Sequence, residues 1–189
     1  AILELAEMIR DANGKGEKNF KPGYLLHAIA LRVGDKGREK EKLVFTEALA
    51  SLLGGVNPPP GAQEYLLREL QCAGGPEVVK TLGELLEKPG IWEHALSVLV
   101  AIGTGAGEPL RKALAGAKGR RRLAILQALG SIRDTASTAA LAGATEDKDE
   151  NTRLAAGWSL ARIATPACVQ PVVKAAAKAK NWEKIQANK

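Results

Sequence analysis

Two histidines, His27 and His94, are the only imidazoles available for general acid–base work. Each lies in an apolar stretch, with no serine or cysteine at a spacing that would make it the base of a nucleophilic pair. Both therefore read as helix histidines with satisfied ring nitrogens. Cys72 and Cys168 stand far apart and lack the short pairings that hold zinc, so they read as small core residues. The segment GTGAGEPL, 103–110, has the glycines of a phosphate loop, but it follows a helical pattern rather than a strand and has no lysine. It is a turn. Glu146, Asp147, Asp149 and Glu150 could attract a cation, yet their spacing is not that of a calcium loop, and they suit the acidic start of a helix better. These readings predict no metal site, no cofactor and no catalytic residue.

One cluster remains. From Arg111 to Arg133 the chain carries seven basic residues and no acidic one. Arg111, Lys112, Lys118, Arg120 and Arg121 are the candidate anion- or partner-binding residues. Trp92, Trp158 and Trp182 are not interleaved with them, so the stacking platforms of single-strand binders are not indicated, and Trp158 reads as a packing residue. The simpler reading of the cluster is a solvated basic face.

The elements that position these residues are helices. Aromatics make up 4% of the 189 residues and alanine and leucine dominate, which favours an all-α fold over a sheet sandwich. The balance of 27 basic against 21 acidic residues, net +6, permits contact with acidic partners without requiring it. No apolar run reaches the length of a membrane helix, so membrane insertion is not expected. The chain opens on Ala1-Ile2-Leu3 and ends on NWEKIQANK, which reads as an excised piece with both ends cut. The compartment stays open: cytoplasmic, or periplasmic or secreted if the parent protein is exported.

A period organises the chain. Apolar helices end at Leu70, Leu99, Leu129 and Leu160, which are 29, 30 and 31 residues apart. Each unit reads as helix, tight turn, helix: Ala62 to Cys72 with Glu77 to Glu87, Ile91 to Ile102 with Glu108 to Leu114, Arg120 to Ile132 with Ser137 to Ala144, and Asn151 to Ile163 with Val169 to Lys178. Gly74-Gly75-Pro76, Pro89-Gly90 and Pro166 supply the stops and starts. Helices this short are marginal alone and must bury their faces on neighbours, which yields a solenoid. The expected organisation is divergent helices over 1–56, a proline-rich loop at 57–61, four repeats over 62–180 and the start of a truncated helix at 181–189. All of these are expected to form one continuous solenoid domain.

The last unit, DENTRLAAGWSLARIATPACVQPVV, resembles the HEAT repeat of the short bacterial type, also called PBS-lyase-like. Its pattern places an Asp ahead of an Arg on the first helix and an AAxxLxxI run before the turn. Asp149, Arg153, Ala155-Ala156, Leu160 and Ile163 occupy those places. Residues 62 to 178 follow the pattern well and 1 to 56 loosely. The resemblance implies an α-α superhelix of antiparallel helix pairs. Counting seven back from the anchor leucine gives Arg153 in the last unit and Arg122 in the one before, so Arg122 is the structural arginine of its repeat. There Lys118 stands where Asp149 would be, so the acidic partner is expected to be missing. Arg120 lines up with Gln127 and Ser131 on the polar face instead.

The resemblance implies little about function, because such repeats serve scaffolds, regulators, chromophore lyases and DNA-repair enzymes. The expected function is a non-catalytic scaffold whose groove of second helices engages a protein or a neighbouring domain of the parent chain. An anion- or nucleic-acid-binding module using the 111–133 cluster is the alternative. A HEAT-like lyase or glycosylase is the weaker one. The arrangement also looks like repeat arrays attached to larger exported bacterial proteins.

Overall fold

The computed structural model describes residues 2–11, 20–54 and 58–178. The expected helix start at 181–189, Trp182 and Asn57 of the proline-rich loop lie outside them. The contacts divide the chain into two compact units, Ala1–Ala106 and Gly107–Lys189, where the repeat pattern predicted one continuous array. The boundary falls inside the second of the four repeats.

The first unit holds α1 (Ile2–Asp11), α2 (Phe20–Val33), α3 (Glu39–Gly54), α4 (Pro60–Ala73), α5 (Val79–Leu85) and α6 (Trp92–Ile102). Here α4 starts two residues before the expected Ala62, because Pro60 suits a first helical turn, where no backbone N–H is needed. The turn after it is a short 3-10 segment, Pro76–Val78, which runs directly into α5. Layers form as α2 and α4 pack on each other, α3 packs against both, and α6 packs against α4 and α5. Two polar contacts tie α2 to α4. The Tyr65 hydroxyl donates to the Gly23 carbonyl at 2.6 Å, and His27 Nδ1 lies 2.8 Å from Glu69 Oε2. Both pairs are 42 residues apart, so the two helices run in the same direction, as first helices of successive repeats must.

The second unit holds α7 (Gly107–Gly116), α8 (Gly119–Ser131), α9 (Thr138–Ala144), α10 (Glu150–Ile163) and α11 (Pro166–Lys178). Its central contact is α8 on α10, with α9 and α11 packed on the same framework. At Gly130 the two first helices touch backbone to backbone: a Cβ there would come within 2.5 Å of Ser159 Cα. Ser159, itself buried, donates from Oγ to the Leu126 carbonyl at 2.8 Å. Small residues thus let this pair of helices approach closely.

The periodic leucines explain both units. Leu70, Leu99, Leu129 and Leu160 are buried to within 1% of complete. Each such side chain contributes about 1.5–3 kcal/mol of apolar burial. Their carbonyls accept the hydrogen bonds that end the helices, from the N–H of Gly74, Gly103, Asp134 and Ala164. After α8 the geometry is a Schellman motif: Asp134 N–H bonds Leu129 O, Arg133 N–H bonds Gly130 O, and Arg133 takes the left-handed place with φ 54°. After α10 the simpler one-bond stop has Ala164 at φ 54°. Among the described residues no helix is long and apolar enough to cross a membrane.

Candidate interaction surface

The basic segment does not form one patch of waiting cations. Arg111, on α7, makes an ion pair through Nη1 with Oδ1 of Asp134, the residue just past the α8 stop. Gly107 makes room for it, since a Cβ there would sit 2.5 Å from Asp134 Oδ1 and 2.9 Å from the guanidinium. Arg122 is half-buried, and its Nη2 lies 3.5 Å from Asp147 Oδ2. The acidic partner expected to be missing is therefore present. It comes from the loop before α10, because the position four residues upstream holds Lys118 and the next loop is the nearest source of a carboxylate. Arg120 is exposed and Arg121 half-buried, each with interactions of its own. Lys112 and Lys118 are exposed. Arg111 and Arg122 thus serve the joints between helices.

Asp149 and Arg153 both hold the turn into α10. Asp149 caps α10, its Oδ1 accepting from both the backbone N–H and the hydroxyl of Thr152 at 2.8 Å. The Thr152 hydroxyl and N–H, with Arg153 contributing charge, hold the Asp149 carboxyl below its ordinary range. Arg153 donates from Nη1 to the carbonyls of Asp147 and Lys148, at 2.9 and 3.0 Å. It therefore fastens the loop as well as neutralising the cap.

An open hollow of about 560 Å³ lies along α8 and α10. Leu123 and Gln127 line one side, and Leu154, Trp158 and Arg162 the other. Trp158 does not pack into the core as expected: it is 61% exposed. The tight Gly130–Ser159 approach lies beneath, so the large side chains next to it on α10 have no room between the helices and project over them. Arg162 stands in the last turn of α10, where a cation complements the helix dipole. This hollow is on the first helices, whereas repeat geometry alone pointed to the second ones.

In the first unit a hollow of about 340 Å³ lies between α4 and α6 and is lined by Tyr65, Arg68 and His94. The Arg68 guanidinium covers the Tyr65 ring at 4.6 Å. Burial, then the Glu69 carboxylate, pushes the Tyr65 hydroxyl up from its ordinary value. Cys72 is exposed, not a core residue as expected, and its thiol is pushed up by partial burial and by Glu69. Cys168 is buried as expected. Sequence reasoning missed Glu69 altogether, because nothing in its own helix marks it as facing inward rather than lying with its charged neighbour Arg68.

A profile of the family described as HEAT repeats matches residues 107–188. No curated protein matches the sequence. Among solved structures, an engineered protein from the Northeast Structural Genomics Consortium is similar over 99% of this chain and 93% of its own, with 18% identity and a TM-score of 0.54. A second engineered protein from that consortium is similar over 98% of this chain, which spans 56% of it, also at 18% identity and a TM-score of 0.54. At that identity the likeness speaks for the fold alone. The helix pairs of the second unit and the turn held by Asp149 and Arg153 fall inside the stretch that the HEAT-repeat profile matches, residues 107–188.

Proposed function

We propose that the chain is a non-catalytic interaction scaffold, and that the α8–α10 hollow is its contact surface for a protein segment. The observation that carries this is Trp158, exposed in the lining of a hollow that it shares with Leu123, Leu154, Gln127 and Arg162. An exposed aromatic in a concave apolar setting is the kind of side chain that anchors protein interfaces. Arg162 at the rim sets the chemistry of the occupant: an apolar side chain laid on Trp158 and Leu154, with a carboxylate close by. HEAT repeats commonly act as interaction scaffolds, which supports the same reading. The partner is either a separate protein or a neighbouring domain of the parent chain.

A photo-crosslinking residue in place of Trp158, in cells that make the full protein, is expected to give discrete protein adducts that Leu154→Asp removes. The same residue at Lys112 is expected to give none. Adducts from Lys112 alone would favour the basic segment. So would affinity for mixed-sequence duplex DNA that persists between about 50 and 200 mM salt and is abolished by Arg120→Glu/Arg121→Glu.

A further inference from the structure

Three side chains with metal-binding chemistry meet where α2 packs on α4. His27 stands on α2, while Glu69 and Cys72 are three apart on α4 and so share a face. One donor atom from each, an imidazole nitrogen, a carboxylate oxygen and the thiol sulfur, all lie within 4.8 Å of one another. Donors around a tetrahedral zinc at ordinary bond lengths stand roughly 3.3–3.7 Å apart. The set therefore needs to contract by only about 1 Å at its widest. His27 and Cys72 both reach solvent, so their side chains have room to turn toward such an ion.

The buried carboxylate supplies an independent observation. Glu69 has no exposed surface, and its Oε1 has no hydrogen-bond partner among the described residues. The Arg68 Nε, on a largely exposed side chain, pairs with it only at 4.0 Å, at the limit of an ion pair and too far for a hydrogen bond. A buried carboxylate with one oxygen unpaired is costly unless a cation compensates it. The unpaired oxygen belongs to the side chain that joins the imidazole and the thiol.

We propose that His27, Glu69 and Cys72 form a binding site for a divalent ion of the zinc class, with solvent in the fourth position. The mixed nitrogen, oxygen and sulfur donor set suits zinc, whereas calcium and magnesium require oxygen. On binding, the Cys72 thiol releases its proton to solvent and the imidazole presents an unprotonated nitrogen. The ion then adds a coordinated link between α2 and α4 to the Glu69–His27 and Tyr65–Gly23 contacts. This site lies in the first unit and is independent of the scaffold reading.

The test is a titration of the reduced, chelator-treated chain with cobalt(II) under anaerobic conditions. The expected result is one equivalent bound, with sulfur-to-cobalt charge-transfer absorption and the intense visible bands of a four-coordinate ion, both erased by zinc. Cys72→Ser abolishes the charge-transfer band, Cys168→Ser keeps it, and His27→Ala weakens binding at least about tenfold. Circular dichroism shows that the variants keep their helices. Glu69→Gln is a further probe, and if it fails to fold, His27→Ala carries the test. Absence of sulfur ligation in the wild type, or a spectrum unchanged by Cys72→Ser, overturns the proposal.

Discussion

The α2–α4 and α8–α10 contacts solve one problem in two ways. Both bring together first helices of neighbouring repeats. In the second unit the helices meet through small residues, Gly130 against Ser159, with one hydroxyl bonded to a carbonyl. In the first unit large polar side chains bridge the gap, Tyr65 to Gly23 and His27 to Glu69, and a carboxylate is buried in the process. The first solution is geometric and intolerant of added volume. The second is chemical: it depends on partners, and it leaves groups able to do more than pack.

The largest way to break this comparison is to add volume. Gly130→Ala drives its Cβ to 2.5 Å from Ser159 Cα and is expected to cost about 3 kcal/mol of stability in the second unit. The equivalent insult at Gly23 meets only the end of the Tyr65 side chain, at 2.9 Å. Gly23→Ala is therefore expected to be near neutral, because the hydroxyl can shift and alanine favours the helix by about 1 kcal/mol. Denaturant unfolding of both variants, followed by circular dichroism, measures the contrast, and equal losses would show that the two contacts do not differ in kind.

Next in size is His27→Ala, which leaves Glu69 buried without its imidazole. A loss of about 1.5–3 kcal/mol is expected, the range for a hydrogen bond to a charged group. Then comes Arg122→Ala, which removes the Asp147 contact and the packing of its stem along α8, and is expected to cost about 1 kcal/mol. Arg120→Ala, on the exposed face, is expected to fall within about ±0.5 kcal/mol. Matching losses at 120 and 122 in thermal melts would remove the distinction between joint and surface arginines.

The smallest expected effect is a pH dependence confined to the second unit. The folded Asp149 carboxyl titrates below its unfolded value of 3.8, held there by Thr152. Its contribution is therefore fully present above that value and is lost as pH falls through the lower folded value. Asp149→Asn keeps an acceptor for the cap but removes the titration, so its unfolding midpoint should vary less with acid than that of the wild type. Parallel acid titrations of the two proteins would refute this if their slopes coincide.

Much of the fold was legible because repetition made it so. The anchor leucines, the breakers after them and Pro166 all mark positions that the helices obey. What escaped was whatever joins one helix to a different one. Asp147 pairs with Arg122 from 25 residues away, and Glu69 with His27 from 42. Trp158 read as packing because its helix packs, but Gly157 and Ser159 flank it, and only the depth of the α8–α10 approach decides that it stays outside. Cys72 read as core for its residue type, while its place in the last turn of α4 puts it at the surface.

A leucine whose side chain fills the core while its carbonyl closes the helix makes each repeat set its own origin. Spacing errors do not accumulate along such a chain, because every anchor starts the count again. Glu146 deleted from the turn between α9 and α10 should be absorbed where it happens. A residue deleted between Arg122 and Leu129 should swing the arginine about 100° around α8, away from its acid. The chain behaves less like a tape measure than like a row of separate rulers, and evolution or design can change the intervals without redrawing the marks.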